Sequence, residues 1–163
     1  EIAIIEMGAN HPGEIKTLAE IACPDYGIIT NVGKAHLEGF GSFEGVKKTK
    51  AELYDYISGQ GEAIFINSDN KHLTEMAIKA GFDMKNRVHT YSLDSENSLC
   101  PVHGSVTAGA PFLNMKCTLR NSPDFDIHTK LIGSYNAENV LAAVAIGDFF
   151  GVAAETIKQG LEN

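Results

Sequence analysis

The sequence predicts an α/β fold, a mostly parallel sheet flanked by helices with a small antiparallel β region around residues 99–132, and three observations predict it. Short apolar runs alternate with helix-length amphipathic segments from Ile2 to Tyr91, which is the order that parallel strands with crossover helices require. Near Leu99 the pattern changes to strand-like runs divided by short turns, the mark of antiparallel pairing. The 163 residues, 44% of them hydrophobic, leave room for one substantial core.

The elements follow in order. Ile2–Ile5 is an apolar run closed by Glu6-Met7-Gly8 and reads as a first strand, so Glu6 falls at its carboxyl end. His11-Pro12-Gly13 makes a turn, and Glu14 to Ala22 places Ile15, Leu18, Ala19 and Ala22 at helical spacing until Cys23-Pro24-Asp25 stops it. Tyr26 to Asn31 is a second strand that empties into Val32-Gly33-Lys34-Ala35-His36, which places His36 just beyond the same sheet edge. Open α/β sheets bind ligands at that edge, and a carboxylate and an imidazole beside glycine-rich backbone suggest a metal-phosphate site. Ser42 is the expected N-cap of a helix reaching Ile57, which Gly59-Gln60-Gly61 breaks; Ala63 to Asn67 is a third strand. Asn70 to Ala80 reads as a helix ended by Gly81, and Arg87 to Tyr91 as a fourth strand. Val102 to Ala108, Phe112 to Leu119 and Asp126 to Ile132 are the antiparallel runs, divided by Gly109-Ala110-Pro111 and Asn121-Ser122-Pro123. An apolar helix from Ala137 to Phe150 and an amphipathic one from about Ala154 complete the chain.

Charge and cysteine content narrow the function classes. Thirteen basic against 21 acidic residues give a formal charge of −8, which disfavours nucleic acid and anionic membrane as partners. Three scattered cysteines fit neither a zinc knuckle nor a disulfide framework and point to the cytoplasm. No apolar stretch is of membrane-spanning length and no signal-peptide pattern precedes the first strand. The sequence opens inside a strand pattern without an initiating Met, so a piece of a longer protein, with apolar sheet surface left to self-associate, is the expectation.

One position stands out in the helix after His36. Phe43, Val46, Leu53 and Ile57 form a continuous apolar stripe only if position 50 belongs to it, and position 50 is Lys. Such a lysine must snorkel, meet an anion or lose its charge. It is either an ordinary snorkelling side chain or a functional one, including one that takes up carbon dioxide as a carbamate and becomes an anionic metal ligand. Plainer readings stand beside the other candidates too. Glu6 as a solvated carboxylate, His36 as a backbone cap, Asn67 and Asp69 as an Asx turn and helix cap, Asn136 as an N-cap and Asn139 as a solvent-facing side chain all suit the same residues. His11, His72, His89, His103 and His128 share no metal-ligand spacing.

Three segments carry a resemblance. Glu6-Met7-Gly8-Ala9-Asn10-His11-Pro12-Gly13-Glu14-Ile15, then Thr30-Asn31-Val32-Gly33-Lys34-Ala35-His36-Leu37-Glu38-Gly39-Phe40-Gly41-Ser42, then Lys48-Thr49-Lys50-Ala51-Glu52 resemble the central ATPase domain of the Mur ligase family. Phe65-Ile66-Asn67-Ser68-Asp69-Asn70 and Gly133-Ser134-Tyr135-Asn136-Ala137-Glu138-Asn139-Val140 add to it. Within the family the segments look most like the ligases that join D-Ala-D-Ala to UDP-MurNAc-tripeptide. The resemblance implies ATP and Mg²⁺ as cofactors, an acyl phosphate attacked by an amine, and a role in peptidoglycan precursor synthesis in a bacterial cytoplasm. It implies Glu6 as the acidic metal ligand, His36 as the histidine on a second magnesium, Lys50 as the carbamylated lysine, and Asn136 and Asn139 beside adenine, with Asn67 and Asp69 as further nucleotide contacts.

Two departures accompany it. The family's Gly-x-x-Gly-Lys-Thr phosphate loop has no counterpart in the sequence; the resemblance places it before Glu1. A uridine-nucleotide domain is expected upstream and a C-terminal domain downstream, so residues 1–163 are expected to be an incomplete central domain that is inactive alone. Tyr135 stands where the family usually has His. A folylpolyglutamate-type or other Mur-type ligase, and a noncatalytic nucleotide- or metal-binding module, are the alternatives.

Overall fold

A computed structural model of the protein describes residues 2–33, 41–94 and 100–163. Among these, the strands β1 (Tyr26–Ile28), β2 (Ala63–Asn67), β3 (Val88–Ser92), β4 (Val102–Ala108), β5 (Asn114–Leu119) and β6 (Ser122–His128) form a six-stranded sheet in sequence order. The helices are α1 (Glu14–Ala22), α2 (Phe43–Gln60), α3 (Lys71–Lys79), α4 (Ala137–Phe149) and α5 (Ala154–Glu162). β3 pairs parallel with β4, whereas β4–β5 and β5–β6 are antiparallel. The mixed α/β architecture predicted above is therefore the one observed, with flanking helices. No helix among the described residues is long and apolar enough to cross a membrane.

The chain divides into two compact units, the first comprising residues 1–64 and 70–88 and the second residues 65–69 and 89–163. In the first, α2 packs against α1, α3 and β1. Its buried residues are Val46, Thr49, Tyr54 and Ile57, with Lys50 and Leu53 half-buried beside them. Ser42 caps it as expected, its Oγ accepting from the Gly45 amide at 3.1 Å. The C-terminal end of α2 is closed by Arg87, whose guanidinium donates to the carbonyls of Ile57 (2.8 Å), Ser58 (3.0 Å), Gly61 (2.8 Å) and Glu62 (2.7 Å). A helix ends with unsatisfied carbonyls and a negative dipole pole, and a cationic fork answers both. The Arg87 side chain also lies over the Phe82 ring.

In the second unit α4 is apolar on most of its surface, with Ala137, Val140, Leu141, Ala142, Val144 and Ala145 buried, because it lies between β4, β5 and α5. Gly104 lets it approach: a Cβ there would stand 2.9 Å from the Lys116 carbonyl and 3.3 Å from Leu141 Cδ1. On β5 the side chains alternate, Met115, Cys117 and Leu119 facing the core and Lys116 facing out. Burial pushes the Cys117 thiol up to about 12, so it behaves as a small apolar group. His89 is half-buried against Phe149 and Phe65, with ring centroids 4.3 and 5.4 Å away, and burial lowers its pKa.

Three expectations need correction. Ile2–Glu6 forms no strand: the segment pairs with none of the described strands, and Ile2, Ile4 and Ile5 are exposed. An apolar alternation becomes a strand only where a neighbour completes its backbone hydrogen bonds. β1 ends at Ile28 rather than Asn31, although Ile29 and Val32 stay buried beyond it. The last antiparallel strand runs Ser122–His128 rather than Asp126–Ile132. The turn is the pair Arg120-Asn121, and Pro123 lies inside β6 where the register shifts between Cys117 and Leu119. β6 is the last strand in the sheet order, and a proline is tolerated on an edge or at a bulge because no ladder N–H is needed there.

Two outcomes are expected. Arg87→Ala leaves four carbonyls without their charged donor and should lower unfolding stability by about 2–3 kcal/mol, measured by urea titration, since hydrogen bonds to charged groups contribute at that scale. For His89 burial holds the folded pKa below the ordinary imidazole value of about 6.5, so the unfolded chain takes up the proton first. Stability is then fully present above about pH 6.5 and is lost as pH falls through the folded pKa. His89→Phe should flatten that part of the acid limb in melting temperatures recorded from pH 7 to 5, and an unchanged slope would show that His89 does not set it.

Candidate functional site

The described members of the predicted metal-ligand set, Glu6 and Lys50, belong to the first unit. Lys50 sits on the third turn of α2 and its Nζ donates to the Asn31 carbonyl at 2.7 Å, in the segment that follows β1. Its burial lowers the amine pKa, which raises the fraction of neutral, nucleophilic amine. Glu6 is exposed, in the extended segment that precedes α1. His36 lies outside the described residues. Among the described residues no group of three or more His, Cys, Asp or Glu side chains is arranged to hold a metal ion.

α1 begins in an unusual way. Its N-cap is Gly13, at φ +89°, which has no side-chain acceptor to offer the first amides. Two glutamates substitute for one. Glu14 turns back so that its Oε2 accepts from the Asn10 (2.7 Å) and His11 (3.0 Å) amides, and those bonds lower its pKa. Glu52, from α2, accepts from the Gly13 amide through Oε1 at 2.8 Å and from the Lys16 amide through Oε2 at 3.0 Å. Beside this junction Gly8, Pro12, Gly13, Glu14, Thr17 and Leu18 line an open hollow of about 700 Å³. Glu52 was visible in the sequence only as part of the Lys48–Glu52 segment; a contact made across 39 residues leaves no local spacing to read.

The candidate nucleotide contacts belong to the second unit. Asn67 is buried and forms an Asx turn, its Oδ1 accepting from the Asp69 amide at 3.0 Å. Asp69 does not cap a helix. Its carboxylate accepts from Ser92 Oγ at 2.6 Å and from the Leu93 amide at 2.7 Å, and so fastens the end of β2 to the end of β3. The helix cap that sequence spacing anticipated falls instead to Asn70, in the first unit, whose Oδ1 accepts from the His72 amide at 3.1 Å. Asn136 occupies the N-cap position of α4 but makes no capping bond; its Nδ2 donates to the Ile132 carbonyl at 3.0 Å. Asn139 is exposed. Tyr135 is exposed as well, its ring lying against Gly133, whose φ is +89°. The loop before α4 and the first turn of α4 thus present Ile132, Tyr135 and Asn139 to solvent, an apolar and amide-bearing surface of the kind that a flat heterocycle can lie on.

The donor chemistry can be tested against the magnesium that the family resemblance implies. Mg²⁺ takes oxygen ligands. Glu6 offers a carboxylate, whereas Lys50 as an ammonium can only donate. As a carbamate it would present carboxylate oxygens, and its lowered amine pKa favours the neutral form that reacts with carbon dioxide. On that chemistry the described members of the set fit the ion.

Comparison with known proteins agrees with the fold. A family model described as the Mur ligase middle domain matches residues 1–147. The chain is 32% identical over 163 residues to the UDP-N-acetylmuramoyl-tripeptide-D-alanyl-D-alanine ligase of Escherichia coli strain K12, covering 100% of this chain and 35% of that protein. It is 34% identical to the Haemophilus influenzae ligase of the same name, covering 98% and 33%. Among solved structures it superposes on MurF from Acinetobacter baumannii with a TM-score of 0.79 at 27% identity, covering 96% of this chain and 32% of that one. MurF from Thermotoga maritima in complex with ADP matches at a TM-score of 0.74 and 20% identity, covering 96% and 34%, a likeness of fold alone. The chain therefore spans about a third of the length of these relatives. The chain belongs to the Mur ligase middle-domain family.

Proposed function

We propose that the chain serves as the central, ATP-binding portion of a ligase that joins D-Ala-D-Ala to UDP-MurNAc-tripeptide in peptidoglycan precursor synthesis, in a bacterial cytoplasm. The observation that carries this reading is similarity along the whole chain to the ligases of that name from Escherichia coli and Haemophilus influenzae, at 32% and 34% identity. Lys50, half-buried with its amine held at the exit of β1, supports it from the side of the chemistry.

In this reading Glu6, His36 and a carbamylated Lys50 hold Mg²⁺, and Asn136 and Asn139 border the adenine, with Asn67 and Asp69 shaping the turn after β2. Bound Mg²⁺ and ATP would supply the phosphoryl group and the charge neutralisation that turn a carboxylate into an acylating group. The protein's own contribution is placement. Lys50 extends from a helix whose register is set by packing of Val46, Thr49 and Ile57, so its terminal atoms are held where free rotation of a surface lysine would scatter them. Asn136, anchored to the Ile132 carbonyl through its Nδ2, orients the loop that would face the base.

The test uses the product of the complete reading frame with ATP, each amine (D-Ala-D-Ala, a free diamino acid or glutamate) being paired with the UDP-MurNAc-peptide or folate carboxylate that it would extend, and phosphate release is measured. D-Ala-D-Ala should stimulate release at least about a hundredfold more than the others, and Lys50→Ala should lower turnover on the order of a hundredfold or more. Preference for glutamate or a diamino acid would assign another ligase of the family, and absence of ATP turnover with every amine would assign a noncatalytic binding module.

A further inference from the structure

The geometry points to Glu52 as a positioning residue that latches the Glu6-bearing segment onto the helix that carries Lys50. This rests on the metal-ligand reading given under Proposed function. Lys50 and Glu52 are two residues apart on α2, so their side chains leave the helix on roughly opposite sides. One goes to the Asn31 carbonyl at 2.7 Å, in the segment after β1. The other goes to the Gly13 and Lys16 amides at 2.8 and 3.0 Å, at the start of α1. A single turn of α2 thus grips both the segment that enters α1, from which Glu6 arises, and the segment that follows β1.

Three features make this grip more than a surface contact. First, Gly13 cannot cap its own helix, so without Glu52 the amides of Gly13 and Lys16 lose their acceptor. Second, the Glu52 carboxylate faces the positive end of the α1 dipole and is half-buried between the two helices. Third, Glu14 makes the local bonds, to Asn10 and His11, so the turn is rigid in itself but is referred to the rest of the fold through Glu52. Loss of Glu52 would leave those local bonds in place but free the Gly13 and Lys16 amides, so the segment that leads from Glu6 into α1 would lose its polar tie to α2. Groups bonded directly to a metal ligand alter metal affinity by about 10–100-fold when removed; Glu52 acts through the Gly13 and Lys16 amides rather than on Glu6 itself, which sets its expected effect at the low end of that range.

The experiment compares wild type, Glu52→Gln and Glu52→Asp in the product of the complete reading frame, by hydrogen exchange and by titration with Mg²⁺ in the presence of ADP. Glu52→Gln keeps the volume and the fold but loses the charge and one acceptor. It should speed amide exchange over residues 13–16 and weaken Mg²⁺ binding on the order of tenfold, while nucleotide affinity measured without metal is unchanged. Glu52→Asp, which keeps the charge on a shorter arm, should recover part of both. Faster exchange over residues 13–16 with unchanged Mg²⁺ affinity would overturn the positioning role and leave Glu52 a stability residue only. Unchanged exchange would overturn the latch itself. If wild type binds no Mg²⁺ with ADP, the metal-ligand reading fails, and this inference with it.

Discussion

Two carboxylate–amide bonds from Glu52 to the start of α1 are the contact on which the arrangement of the first unit depends. α1 is nine residues long, short enough that it has little stability of its own and must be held by packing and by its ends. Its apolar face is thin, with only Ile15 and Ala19 buried. Its N-cap is a glycine in the left-handed region. The helix is therefore completed from outside, by a side chain of α2. α2 is in turn fixed at both ends, by Ser42 at the start and by the Arg87 fork at the finish. The consequence for function is mechanical: a lysine and a glutamate two residues apart on one braced helix reach the two segments named by the candidate site.

The second unit distributes its polar groups differently. Asn67, Ser68, Asp69 and Ser92 bond among themselves and with the backbone where β2 and β3 end. Asn67 and Ser92 are buried, Ser68 half-buried and Asp69 exposed; buried polar groups are stable only when they have partners, and these partners are internal. That argues for a structural first duty for Asn67 and Asp69, with any contact to nucleotide made through the shape of the turn. The loop before α4 has the opposite character, since Tyr135 and Ile132 are 77% and 67% exposed, a large apolar area for residues that elsewhere in the unit are buried. Exposed aromatic and aliphatic side chains grouped beside amides are a usual sign of a binding surface.

Much of this was legible in the amino-acid sequence, for identifiable reasons. α1, α2 and α3 have helical spacing of their apolar residues, α4 is a long apolar run, and their ends are recognisable, such as Ser42 and Asn70 at starts and Gly151 after α4. β2 reads plainly because every residue in it is buried. The misjudged elements are those whose state depends on a distant partner. Ile2–Glu6 has the composition of a strand, but composition cannot tell whether a neighbour is present to pair with it. In β6 Pro123 looks like a turn residue until the bulge opposite Thr118 and the edge position are known. The direction of Lys50 could be reasoned from the stripe it interrupts; its acceptor, the Asn31 carbonyl, could not, because the stripe specifies a face and not an atom. Glu52 is the clearest case of information that exists only in three dimensions.

The most direct measurement is a crystal structure of the complete protein with ADP and Mn²⁺, the metal located by its anomalous scattering. The account predicts Mn²⁺ bound by the Glu6 carboxylate and the modified end of Lys50, with the His36 ring at the same centre and Glu52 still on the Gly13 and Lys16 amides. Manganese bound elsewhere, with an unmodified Lys50 still donating to the Asn31 carbonyl and Glu6 facing solvent, would contradict it.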